Sequence, residues 1–119
     1  MDDDTTLGAV DAATLAALKE DGSLLRELRD LFAVEAPEQV AKLLAAQRQR
    51  DGKAMAQAAH RLKGTATTFG AQSMQRLCIE LEALARDGGL EGAEGKIQAL
   101  RAECERVKAA LDQALEPAD

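Results

Sequence analysis

An all-α domain, folded as an antiparallel up-down-up-down four-helix bundle with a short extra N-terminal helix, is what this sequence predicts. Three observations predict it. Ala, the strongest helix former, is the commonest residue, at roughly a fifth of the chain. Apolar residues recur at steps of three and four through most of the length, and no β-branched run alternates with period two. Aromatic residues are only 2% of the chain, with no Trp and no Tyr, so the core must be built from Leu and Ala on closely approaching helices. At 119 residues the chain is a single domain spanning 1–119, large enough for one core and without linker or internal repeat.

The elements follow in order. Residues 1–8 are expected to fray. Asp11 can cap a short first helix running to about Lys19 and ending near Asp21-Gly22. The apolar series Leu24, Leu28, Leu31, Phe32, Val40, Leu43, Leu44 and Gln47 predicts a second helix from about Ser23 to Arg50. Pro37 lies inside it and is expected to kink it or divide it in two. Asp51-Gly52 restarts the chain for a third helix, about Lys53 to Phe69, which Gly70 ends. A fourth spans about Gln72 to Asp87 with Met74, Leu77, Cys78, Leu81 and Leu84 inward, broken by Gly88-Gly89. The last helix carries the most regular seam: Leu90, Ala93, Ile97, Leu100, Cys104, Val107, Leu111 and Ala114. Short loops make successive helices antiparallel neighbours.

Composition excludes several function classes. The net charge is -6, with acids spread along the chain and an Asp2-Asp3-Asp4 start, which argues against a nucleic-acid surface. No apolar stretch approaches the roughly 18 residues of a membrane span, and an acidic N-terminus is the opposite of a signal peptide. The expectation is a cytoplasmic protein without membrane contact. Cys78 and Cys104 fall on apolar helix positions and read as buried free thiols in a reducing compartment. One His and two well-separated Cys form no metal constellation.

The chemistry concentrates on the third helix. On a wheel of 100° per residue, Met55, Ala58, Leu62, Ala66 and Phe69 form the core stripe. Lys53, Ala56, Gln57, His60, Lys63, Gly64 and Thr67 gather on the other side. His60 is the only histidine in the chain, and this wheel turns it toward water. Gly64, one turn on, costs about 1 kcal/mol relative to Ala and opens the surface beside the ring. Lys63 brings an ammonium to the same patch. An exposed imidazole flanked by a cation and a gap suits an arriving anion, above all a phosphoryl group, and His can carry a covalent intermediate. Counting outward from the turn at Gly70-Ala71 sets Glu82 of the fourth helix level with His60. A carboxylate there would accept from Nδ1-H and leave Nε2 free to attack. Arg86 falls level with Ala56, where it could support Glu82 or an incoming phosphoryl group, or serve only as a helix-end cation. The competing reading is a non-catalytic helical adaptor in which His60 is incidental. A hydrolase or metal enzyme lacks the acid pair or ligand cluster it would need.

His60-Arg61-Leu62-Lys63-Gly64-Thr65-Ala66, followed by Phe69-Gly70-Ala71 and by Leu77-Cys78 and Leu81-Glu82, closely resembles the histidine-containing phosphotransfer (HPt) domain family. The similarity covers nearly the whole chain. It implies that His60 is the phosphoacceptor of a multistep two-component phosphorelay, taking a phosphoryl group at Nε2 from a receiver-domain aspartate and passing it to a second receiver. Lys63 matches the family's Lys that balances phosphoryl charge, and Gly64 the small residue that gives access. Glu82 falls where members place Gln or Glu beside the ring, and Arg86 matches a recurrent basic position. The implied partners are response-regulator receiver domains and a hybrid sensor kinase, met by a monomer. No cofactor is expected to be intrinsic; the receiver would supply Mg²⁺ and the acidic pocket. No autokinase activity or ATP site is expected, since there is no Gly-rich phosphate loop. Docking is expected to use apolar and small side chains around His60, from the second and third helices and the short first one.

Overall fold

Three aspartates, each followed by an apolar series, open the first three helices. The computed structural model describes residues 8–117, so the fraying expected at the start lies, except for the exposed Gly8, outside the described residues. The helices are α1 (Ala12–Lys19), α2 (Gly22–Gln49), α3 (Gly52–Phe69), α4 (Gln72–Asp87) and α5 (Ala93–Ala114). Asp11, Asp21 and Asp51 are the N-caps of the first three, accepting from the backbone N–H groups of Thr14, Leu24 and Ala54. Each satisfies a donor that the first turn of a helix leaves without a partner. Gly70 and Gly88 end α3 and α4 in the left-handed conformation.

Connections are short, so the long helices are antiparallel neighbours in sequence order. The packing of α2 on α5 closes the ring, leaving each long helix between two others. Core side chains come from every long helix: Leu25 and Leu43, Met55 and Leu62, Met74 and Leu81, Ile97 and Leu111 are all buried. The chain's two phenylalanines, Phe32 and Phe69, meet edge to face at 5.6 Å between α2 and α3. The short α1 packs beside α2, and its N-terminus is tied to the α3–α4 turn where Asp11 N–H donates to the carbonyl of Phe69.

Three sequence expectations are corrected. Of the kink or division expected at Pro37, the division does not occur: α2 is one helix through it. A proline removes a single internal hydrogen bond, and Pro37 is exposed while Phe32, Ala36, Val40 and Leu43 hold both halves to the same core. The buried stripe of α2 also runs through Leu25 and Ala36, leaving Leu24 and Leu31 exposed. An apolar run wider than one face leaves the choice of face to the neighbouring helices. Finally, α5 starts at Ala93, not Leu90, because Gly92 takes φ 85°. Leu90 still reaches the core, from the preceding loop.

Candidate functional site

The core stripe of α3 fixes what its opposite face presents. Met55, Ala58, Leu62, Ala66 and Phe69 are buried as the wheel requires, together with Ala59. His60 therefore projects outward, with 74% of its side chain exposed. The left-handed turn at Gly70 sends α4 back along α3, and Glu82 arrives level with the ring. Nδ1 of His60 lies 3.2 Å from Oε2 of Glu82. The other oxygen, Oε1, accepts from Lys63 Nζ at 2.7 Å.

One carboxylate thus bridges two side chains that sit three residues apart on the same helix face. Glu82 is only 19% exposed. Burial pushes its carboxyl up, but the hydrogen bonds and charges of Lys63 and His60 together hold it below its ordinary value. Ionised, it can only accept, so the proton of a neutral imidazole rests on Nδ1 and the lone pair on Nε2. Nothing within 4 Å would meet a Cβ at Gly64, beyond its own turn of helix. The glycine is therefore not there for close helix packing, and the approach to the ring is open on that side.

Four of the five residues singled out by sequence are brought together: His60, Lys63, Gly64 and Glu82. Arg86 is not in the hydrogen-bonded group. It is exposed and, among the described residues, bonds to neither Glu82 nor any other side chain. The cation that contacts Glu82 is instead Lys63, reaching across from α3.

A second brace was missed. Glu35 of α2 accepts from Arg61 Nε at 2.7 Å and from Thr65 Oγ1 at 3.1 Å. Arg61 and Thr65 are one turn apart on α3, a spacing that allows a shared partner but does not name it. With Glu82 on one flank and Glu35 on the other, the helix carrying His60 is pinned to both neighbours. Toward the α3–α4 turn the surface is apolar: Leu31 and Val34 are 60% and 62% exposed. A recess of about 80 Å³ lies beside Leu31, between Leu28, Thr65 and Thr68. Among the described residues, no group of three or more His, Cys, Asp and Glu is placed to hold a metal ion, and no helix is long and apolar enough to cross a membrane.

Comparison with known proteins places these features in a wider set. The family model described as the Hpt domain matches residues 27–110. The structure is similar to that of histidine-containing phosphotransfer protein B (HptB) from Pseudomonas aeruginosa PAO1, with 31% identity and a TM-score of 0.81 over 88% of this chain and 92% of that one. It is also similar to the HPT domain of an Hpt sensor hybrid histidine kinase from Shewanella, with 29% identity and a TM-score of 0.72 over 92% and 95% of the two chains. No relative was found among the curated proteins compared.

Proposed function

Because this chain belongs to the Hpt domain family, with a histidine phosphotransfer role in a phosphorelay, we propose that His60 is its phosphoacceptor and that Lys63, Gly64 and Glu82 serve that residue. The observation that carries the reading is the exposed ring held by Nδ1 on Glu82 next to the open space at Gly64.

In the proposed step the Nε2 lone pair attacks the phosphorus of a receiver's aspartyl phosphate. The N–P bond forms, the P–O bond to the aspartate breaks, and its electron pair leaves on the receiver's carboxylate. The Nδ1 proton stays in place. Glu82 holds the attacking tautomer and stabilises the positive charge that the ring gains as Nε2 is phosphorylated. The Lys63 ammonium offsets part of the phosphoryl charge. Reversal of the same step onto a second receiver completes the relay. Such transfer needs positioning and charge stabilisation more than covalent chemistry from the protein.

The bundle is a carrier: the receiver supplies Mg²⁺ and the acidic pocket, and the chain itself has no ATP site or kinase activity. It acts as a monomer in the cytoplasm, on receiver domains and a hybrid kinase, without nucleic acid or membrane. The acidic composition supports the former exclusion. Arg86, exposed and without a side-chain partner among the described residues, is available to the phosphoryl group or the receiver.

Incubation with a phosphorylated receiver domain and Mg²⁺ tests the reading. Acid-labile, base-stable label is expected on the protein and is expected to vanish in His60→Gln. Undiminished label in that variant eliminates His60 as the carrier.

A further inference from the structure

On the side of His60 away from the apolar patch, a groove of about 930 Å³ follows the α2–α3 interface toward the turn at Asp51. It is edged by Gln39, Lys42 and Gln49 of α2 and by Gln57, His60 and Arg61 of α3. Its remaining walls are alanines and Glu82, so its sides are low and its polar groups stand out. The charge on Glu82 is already matched by Lys63. Arg61 is likewise matched by Glu35, so in a chain of net charge -6 the unbalanced charge of this groove is the single positive charge of Lys42. Lys42 is exposed and has no ion-pair partner among the described residues.

Gln39 is the more telling feature. The residue is 4% exposed and stands among apolar core positions of α2. Its amide has no hydrogen bond among the described residues, yet neither amide atom is sealed from solvent. The residue also lines the groove. A buried amide with unmade hydrogen bonds is costly unless something completes them. Carboxamides both donate and accept, which matches a peptide group.

We propose that this groove takes an acidic segment of the receiver domain whose phosphoryl group His60 exchanges, with Lys42 against its carboxylates and Gln39 paired to its main chain. The proposal rests on the phosphotransfer reading above, and it follows from continuity: a receiver seated with its aspartyl phosphate at Nε2 also overlies the groove that starts at the ring. The volume suits a stretch of chain, not a lone ion. The groove then discriminates among receivers by the charge they carry there, separately from the apolar contacts on the other side of His60.

The test uses the full chain, Lys42→Glu and Gln39→Leu, with the receiver domains of the source genome each phosphorylated by acetyl phosphate and Mg²⁺. Phosphoramidate, which phosphorylates histidine without a docked protein, reports on His60 directly. For the preferred receiver, Lys42→Glu is expected to lower kcat/KM about tenfold through KM, with the difference shrinking at high salt. Gln39→Leu, close in volume, is expected to lower it about threefold to fivefold. Phosphoramidate labelling is expected to match wild type in both. Unchanged kcat/KM in both variants, or a loss confined to kcat, overturns the groove assignment. Failure of every receiver to label wild-type His60, with phosphoramidate labelling intact, overturns the phosphotransfer reading and the groove with it.

Discussion

Nδ1 of His60 and Oε2 of Glu82 meet at 3.2 Å across the α3–α4 interface, between residues 22 apart in the chain. The same carboxylate holds Lys63, so the ring's tautomer, its orientation and the nearest cation are set by one side chain. Substitutions at Glu82 should therefore separate acceptor geometry from charge.

Glu82→Gln keeps an oxygen for Nδ1-H but releases Lys63, whereas Glu82→Ala removes both contacts. Transfer from a phosphorylated receiver is expected to fall about threefold in the first and about tenfold to a hundredfold in the second, the range of a lost charge-assisted hydrogen bond. Stopped-flow or quench kinetics measure this. Wild-type rates in Glu82→Ala would show that the ring needs no such partner.

Acid should act on the same clamp. Burial raises the Glu82 carboxyl, but Lys63 and His60 together hold it below its ordinary 4.5. A depressed carboxyl contributes stability that is fully present above the unfolded value and is lost as pH falls through the folded one. Thermal melts of wild type are thus expected to lose stability below about pH 4.5 more steeply than melts of Glu82→Gln. Parallel curves would rule out this contribution.

Gly64 separates access from stability. A Cβ there meets no atom within 4 Å beyond its own turn, so Gly64→Ala is expected to stabilise the fold by up to about 1 kcal/mol through helix propensity. Gly64→Leu is expected to preserve helicity, read by circular dichroism, while slowing transfer at least tenfold by covering the approach to Nε2. Unaltered transfer in the leucine variant refutes the access role.

The turn that aligns α4 with α3 depends on Gly70. It sits at φ 63°, and an added Cβ would come within 2.6 Å of Asp11 Cβ. Gly70→Ala is expected to destabilise by about 2 kcal/mol or more, from left-handed strain and displacement of α1. Chemical denaturation gives the value, and a loss below about 0.5 kcal/mol would mean that α1 yields freely.

The buried thiols respond at the other end of the pH scale. Burial pushes Cys78 and Cys104 up to about 12 from an ordinary 9.0. A raised thiol contributes stability that is present below the unfolded value and lost as pH rises through the folded one, so melting temperature is expected to decline between about pH 9 and 12. Reaction with a thiol reagent at pH 7 is expected to be slow in the native protein and fast in denaturant. Rapid native labelling would contradict the burial.

The sequence by itself determined the number and order of the helices, the caps at Asp11 and Asp51 and the face of α3 that meets water. Those depend on local rules: Asp11 and Asp51 cap because the backbone N–H groups they serve are three residues away, and His60 faces outward because Leu62 and Phe69 must face inward. Asp21, read only as the end of the first helix, proved to be the cap of the second. It also brought Glu82 level with His60, since a tight turn makes residues equidistant from it neighbours. The tertiary structure alone decided which oxygen each partner takes, that Lys63 and not Arg86 joins the group, that Glu35 braces Arg61 and Thr65, and that α2 buries Leu25 while exposing Leu31. Those outcomes depend on the rotation of one helix against another. Such rotation is set by side-chain packing across the whole bundle, and spacing along a single helix carries no record of it.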